Sequence, residues 1–216
     1  MTREPERNRM VDEQLVARGL ADARVLAAMR RIPREAFVAP ADEAKAYDDS
    51  PLQIDAKQTI SQPYIVALMA EAAKLSPTDR VLEVGTGSGY AAAVFAELAA
   101  QIFSIERHSP LADTARDRVA TLGYRNIFVG TGDGTLGWRE HAPFEAIIVA
   151  AGSPTLPAAL CEQLTIGGRL VIPVGAEEHQ ALLRVTRTAA ERWAEEDLGP
   201  VRFVPLIGAQ GWQRLA

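Results

Sequence analysis

Eight consecutive residues concentrate the chemistry of this chain: Glu83-Val84-Gly85-Thr86-Gly87-Ser88-Gly89-Tyr90. A short apolar run, Val81 to Val84, precedes the glycines, and a helix-forming run from Tyr90 follows them. The glycines therefore fall at a strand-to-helix turn, where a residue without a side chain lets the backbone bend sharply and a ligand lie against it. The spacing is Gly-x-Gly-x-Gly. It is not the Gly-x-Gly-x-x-Gly of dinucleotide sites, because Tyr90 occupies the sixth place. A tight turn with no ligand would read the same way, so partners elsewhere have to decide.

Two acids supply candidates. Glu106 closes the next apolar run, where a carboxylate can accept hydrogen bonds from both hydroxyls of a ribose. An exposed strand-end charge is the plain alternative. Asp133, in Gly132-Asp133-Gly134, follows the third apolar run and can meet an adenine amino group, or can close an Asx turn. The three features sit at the carboxyl ends of successive strands, where open α/β sheets bind ligands. Glu83, Glu106 and Asp133 would make that rim acidic, and no Lys or Arg lies within the glycine turn. A sulfonium would be favoured there and a pyrophosphate repelled.

The remaining candidates are weaker. His108, His141 and His179 are scattered without metal-ligand spacing, so no metal site is expected. Cys161 lies on an apolar stretch after Pro157 and reads as a core residue. As the one cysteine it forms no internal disulfide, which favours a reducing, cytoplasmic home. Trp138, Trp193 and Trp212 form no stripe and read as packing. A net charge of -5 argues against a general nucleic-acid binder. No apolar run approaches the roughly 18 residues that span a bilayer, and no secretory signal opens the chain.

The elements that must position these residues follow from periodicity. Residues 8–20 and 22–31 read as short amphipathic helices, with Val11 and Leu15 on one face of the first and Leu26 and Met29 on one face of the second. Residues 38–60 read as ordered but irregular. Pro63 opens a helix that runs through Tyr64 to Leu75. From Arg80 strands and helices alternate: strands at Val81–Val84, Ile102–Ile105, Ile127–Val129, Ala146–Ala150 and Arg169–Ile172, and helices at Tyr90–Ala99, Leu111–Leu122 and Pro157–Leu164. This alternation predicts a doubly wound, mostly parallel α/β sheet. Ala181–Thr186 and Val201–Val204 read as an antiparallel pair at one edge. The 216 residues fit one domain: a helical extension and loop over 1–78, a βαβ core over 79–175 and C-terminal strands over 176–216.

Longer blocks carry a resemblance. Ile32-Pro33-Arg34-Glu35-Ala36-Phe37-Val38, Gln58-Thr59-Ile60-Ser61-Gln62-Pro63, the run Val81 to Tyr90, Gly132-Asp133-Gly134 with Gly137-Trp138, Gly167 to Gly175, and Arg202-Phe203-Val204-Pro205-Leu206 together make the chain resemble the protein-L-isoaspartate O-methyltransferase family over nearly its whole length. The glycine turn is shared by many methyltransferases. The Thr-Ile-Ser block and the Phe-Val-Pro-Leu ending are more particular to this family.

The resemblance implies a Rossmann-like methyltransferase fold whose last two strands are ordered unusually. It implies S-adenosyl-L-methionine as donor, S-adenosyl-L-homocysteine as product, and isoaspartyl peptides and proteins as partners of a monomeric enzyme. Ser61 matches the serine at the methyl-transfer centre. Glu83, Gly85, Thr86, Gly87, Gly89, Glu106, Asp133 and Gly134 fall to the donor. Thr59, Ile60, Ser61, Gln62, Val204, Pro205 and Leu206 fall to the peptide. The product ester is expected to collapse to a succinimide and then partly to normal aspartate. A dedicated peptide or small acid as acceptor, or a non-catalytic binding module, are the rival readings. The chain departs from the family at Asp55-Ala56-Lys57, where relatives hold a glycine and an aromatic residue, and at Ala150-Ala151-Gly152. The first departure is expected to tune which peptides are accepted.

Overall fold

A computed structural model describes residues 3–213. The chain opens with α1 (Glu4–Met10), which widens into a π turn over Val11–Leu15 and tightens over Val16–Arg18 before Gly19, at φ 91°, ends it. Asp22 then caps α2 (Ala23–Arg31), its carboxylate accepting from the N–H groups of Arg24 and Val25. Val11, Leu15 and Met29 are buried, as their spacing predicts, while Leu26 is only partly so.

The segment expected to be irregular contains a small hairpin, β1 (Leu52–Gln53) against β2 (Thr59–Ile60). It turns through Asp55-Ala56-Lys57-Gln58, with the Gln58 N–H donating to the Asp55 carbonyl at 3.1 Å. Ala56 and Lys57 both lie in the left-handed region, at φ 55° and 58°. Such a turn suits hairpin twist but normally draws on Asn, Asp or Gly, so periodicity gave no sign of it. The helix α3 (Pro63–Ala73) follows at once, with Pro63 in its first turn.

The rest is one sheet with strand order β5-β4-β3-β6-β7-β8-β9. Its strands are β3 (Arg80–Val84), β4 (Gln101–Glu106), β5 (Ile127–Thr131), β6 (Phe144–Val149), β7 (Leu164–Ala176), β8 (His179–Ala189) and β9 (Arg192–Val201). The first five pair in parallel and the last two add on antiparallel, in chain order. The helices α4 (Tyr90–Ala96), α5 (Ser109–Thr121) and α6 (Ala158–Glu162) make the crossovers.

Both faces of the parallel strands are covered, so they read as near-continuous apolar runs. Alternate residues feed two cores. Val81, Ile102, Ile148 and Val171 pack with α1 to α4. Leu82, Phe103, Ile147 and Leu170 pack with Leu160 and Cys161 of α6 on the opposite face. The order reverses at β3, which has β4 on one side and β6 on the other, so a crevice opens beyond their carboxyl ends.

Two expectations are corrected. Strand β7 begins at Leu164, before the predicted Arg169, because the chain bulges through Gly167 and Gly168 between its pairings at Leu164 and Arg169. The antiparallel partner of β8 is Arg192–Val201 rather than Val201–Val204. That strand is polar because it is an exposed edge, which hid it from a search for apolar alternation. Phe203 instead bonds to the side chain of Gln180, its N–H donating at 2.8 Å and its carbonyl accepting at 3.3 Å, so the backbone leaves the sheet there.

Candidate active site

The crevice holds a cavity of about 330 Å³. Its floor is the turn from β3 into α4, where Gly85, Gly87 and Gly89 adopt φ of 95°, 52° and 88°. These angles suit glycine and strain other residues. The hairpin tip closes over the same turn. A side-chain carbon on Gly87 would touch Ile54 Cδ1 at 3.5 Å and the Thr59 carbonyl at 4.0 Å. The hairpin thus walls the cavity with Ala56, Lys57, Gln58, Thr59 and Ile60.

Glu106 ends β4, 5% exposed, and lines this cavity. One carboxylate oxygen accepts from the Gly87 N–H and the other from the His108 N–H, each at 3.0 Å. The glycine turn therefore orients the carboxylate in advance, and each oxygen keeps a lone pair for a further donor. This arrangement fits a ribose diol, with Gly134 from the segment after β5 completing the wall.

The other two acids stand differently. Glu83 is fully buried and does not line the cavity. Burial pushes its carboxyl up to about 8, helped by the charge of Glu106 and opposed by a hydrogen bond from Ser104. It is therefore mostly protonated at neutral pH. Its Oε1 has no partner among the described residues, and Ser104 continues the network to the Thr86 hydroxyl at 2.6 Å.

Asp133 does not line the cavity either. Its Oδ1 accepts from the Thr135 N–H and hydroxyl, and its Oδ2 from the Ala209 N–H at 2.7 Å, which ties the C-terminal loop down. The negative charge on the rim comes down to Glu106, facing Lys57, Arg107 and His108. Electrostatics alone no longer separates a sulfonium from a pyrophosphate, and the distinction falls to the turn spacing.

A larger, more open cleft of about 920 Å³ adjoins from outside, between Gln62, Tyr64, Ile65 and Leu68 at the start of α3 and residues 198–204, which run from the end of β9 into the segment beyond it. Thr59, Ser61, Ala150, Val204 and Pro205 line both spaces, so Ser61 stands where they meet. Ile60 and Leu206 line only the inner cavity and Gln62 only the outer cleft. The segment Val204–Leu206 is held from both sides: the Gly152 N–H after β6 donates to the Val204 carbonyl and the Leu206 N–H to the Gly152 carbonyl, each at 2.8 Å, and the Trp212 N–H donates to the Leu206 carbonyl at 2.7 Å. It is a strap rather than a strand.

Ala56 and Lys57 line the inner cavity and not the outer cleft. Their place in the sequence, just before Gln58-Thr59-Ile60-Ser61, points instead to the peptide mouth. Arg34, which has no role legible in the sequence, donates from its guanidinium to the Ser61 carbonyl at 3.0 Å.

Comparison with known proteins places the chain by family and fold. The sequence profile of the family described as Protein-L-isoaspartate(D-aspartate) O-methyltransferase matches residues 6–211. A relative from Pelobacter propionicus named Protein-L-isoaspartate O-methyltransferase 2 is 57% identical over 210 residues, 97% of this chain and 93% of its own. One from Protochlamydia amoebophila named Protein-L-isoaspartate O-methyltransferase is 54% identical over 205 residues, 94% and 98% of the two chains. Among solved structures, a protein-L-isoaspartate O-methyltransferase superposes with a TM-score of 0.83 at 28% identity, covering 95% of this chain and 67% of that one. A structure from Plasmodium falciparum, in complex with S-adenosyl-L-homocysteine, gives a TM-score of 0.81 over 93% of this chain and 98% of that one. At 24% identity it shows the fold alone.

Proposed function

The chain belongs to the protein-L-isoaspartate O-methyltransferase family, and from that premise we propose that its inner cavity takes S-adenosyl-L-methionine and its outer cleft a peptide whose L-isoaspartyl carboxylate is methylated where the two spaces meet. The enzyme is a carboxyl methyltransferase of protein repair. The observation that carries the site assignment is the shared lining: Ser61 and four neighbours belong to both spaces, so an acceptor from outside and a donor from within would meet beside them.

The residues present fit the donor. Gly85 and Gly87, both at positive φ, line the cavity and leave room for it to lie on the backbone, and Glu106 is held ready for two hydroxyls; Gly89, expected at the donor, instead packs against Ala115 and Val119 of α5 and serves the turn. A volume of about 330 Å³ falls at the lower end for small-molecule sites. Gly85, Thr86, Gly87, Glu106 and Gly134 would hold it directly. Glu83 and Asp133 would act behind them, Glu83 through Ser104 and Thr86, and Asp133 through the loop it ties. When bound, the donor supplies a methyl group already activated by its sulfonium.

The acceptor carboxylate is ionised at neutral pH, its ordinary pKa being near ~4, so no residue of the chain has to remove a proton. Ser61 would donate a hydrogen bond that turns one carboxylate oxygen toward the inner cavity. The strap Val204–Leu206 and the hairpin would exclude water from the junction and hold the reacting atoms in line.

The single cysteine, Cys161, is buried and unpaired, which suits a reducing, cytoplasmic compartment. Among the described residues no helix is long and apolar enough to cross a membrane. Titration calorimetry with S-adenosyl-L-homocysteine and with NAD tests the donor assignment. Binding of the first alone supports it, and binding of NAD alone overturns it.

A further inference from the structure

We infer that Arg34 is a positioning residue for methyl transfer: from inside the core it fixes the backbone of Ser61 and so sets where the acceptor carboxylate is held. The inference rests on the reading of Ser61 as the acceptor-side residue. Arg34 begins the short helical turn Arg34–Phe37 and is 0% exposed, the largest fully buried side chain among the described residues. Arginine is almost never fully buried unless its charge is met. Here it is met by carbonyls rather than by a carboxylate. One terminal nitrogen donates to Ala46, and the other donates to Ser50 at 3.2 Å and to Ser61 at 3.0 Å.

Two of these carbonyls lie four residues apart and the third lies beyond the hairpin, all between α2 and α3, and they converge on one planar group. The Gln62 amide makes a parallel tie to the Asp49 carbonyl at 3.0 Å. The chain at 49–50 is thereby fastened to the chain at 61–62 from two sides. Fixing the Ser61 carbonyl fixes the peptide plane after Ser61, and with it the direction in which its side chain leaves the backbone.

The same guanidinium reaches the donor side. Its carbon lies 5.8 Å from the centre of the Tyr90 ring, and Phe37 meets that ring edge-on at 5.5 Å. Tyr90 is the first residue after the glycine turn and lines the inner cavity. Arg34 therefore stands behind both partners of the reaction and holds the acceptor residue in register with the donor wall. A purely structural role could be filled by any packing that folds. This role needs a flat, forked donor that spans three oxygens. Lysine carries the charge as a compact point on a flexible stem and cannot span them.

The test uses the full chain as Arg34→Lys and Arg34→Gly, assayed with an isoaspartyl peptide and by calorimetry with S-adenosyl-L-homocysteine. Arg34→Lys should lower kcat by about 10- to 100-fold while the homocysteine product binds within about threefold of the unaltered chain. Guanidinium at low millimolar concentration should restore part of the kcat of Arg34→Gly, whereas sodium chloride at equal ionic strength should not. Unchanged kcat in Arg34→Lys, equal losses of turnover and donor binding, or rescue by salt alone would each overturn the inference. Should both variants fail to fold, the unaltered chain labelled with ¹⁵N at arginine decides. The Arg34 guanidinium resonance should shift on addition of the isoaspartyl peptide and stay in place with its aspartyl twin, and no shift refutes the role. If the unaltered chain methylates no isoaspartyl peptide at all, the functional reading fails rather than the role of Arg34.

Discussion

Replacing Glu106 by glutamine probes the donor site with little change of shape. The carboxylate accepts one backbone N–H on each oxygen, from Gly87 and from His108, both at 3.0 Å. An amide has one accepting oxygen. Its NH2 must then face one of those N–H groups, so either the glycine turn or the start of α5 loses its partner. The variant also loses the charge that two ribose hydroxyls would meet, and hydrogen bonds to charged groups are worth about 1.5–3 kcal/mol each. Part of that remains with a neutral acceptor, so a net loss of about 1.4–2.7 kcal/mol follows, a 10- to 100-fold weaker donor complex. Calorimetry with S-adenosyl-L-homocysteine reads it directly. Because Glu106 lines only the inner cavity, kcat at saturating donor should stay within about threefold. A dissociation constant that moves less than threefold, in a variant that folds normally, would refute the assignment of Glu106 to the donor.

Ser61→Ala should lower kcat by about tenfold or more, in line with a hydrogen bond to a charged group, with donor affinity much less affected. Equal losses in steady-state kinetics and calorimetry would make Ser61 a donor residue instead. Glu83 makes stability depend on pH in a stated direction. Its folded pKa, raised to about 8, lies above the ordinary carboxylate value near ~4, so its contribution is full in acid and is lost as pH rises toward 8. Melting curves across that window should show a decline that Glu83→Gln flattens, and an equal slope in both chains would refute it. Turnover should stay level from about pH 6 to 7.5, since the acceptor is ionised throughout. A steep loss there that His108→Gln removes would reveal a missed base. Lys57→Gly should raise Tm by about 2–4 °C, because it relieves a left-handed non-glycine residue worth about 1 kcal/mol. A lowered Tm would show that the lysine side chain holds the tip in place.

Much of this arrangement is legible in the sequence because it is repetitive. Apolar runs alternating with helix-length segments announce the parallel sheet, and a turn with glycines between Val84 and Tyr90 marks the crevice. What escapes has a physical reason in each case. Strand β9 is polar on an exposed edge, so no apolar period marks Arg192–Val201. The hairpin turn uses Ala56 and Lys57 where turn chemistry favours glycine, so it leaves no signature. Residue type alone made Glu83, Glu106 and Asp133 equivalent, yet burial neutralises the first and a loop engages the third. Arg34 sits in a block that carries the family resemblance but has no role legible there, because the three carbonyls it bonds come together only in the fold. Ser61 was found through its sequence block, but its place between two spaces depends on the strap at Val204–Leu206, which is distant in sequence.

The central claim is that this chain transfers a methyl group to the carboxylate of an isoaspartyl residue at Ser61. The most direct measurement supplies radiolabelled S-adenosyl-L-methionine to the full chain with a synthetic isoaspartyl peptide and, in parallel, with the same peptide carrying normal aspartate. The account predicts base-labile label on the isoaspartyl peptide alone, greatly reduced in Ser61→Ala. Equal labelling of both peptides, or label on neither while the chain binds S-adenosyl-L-homocysteine, would contradict it.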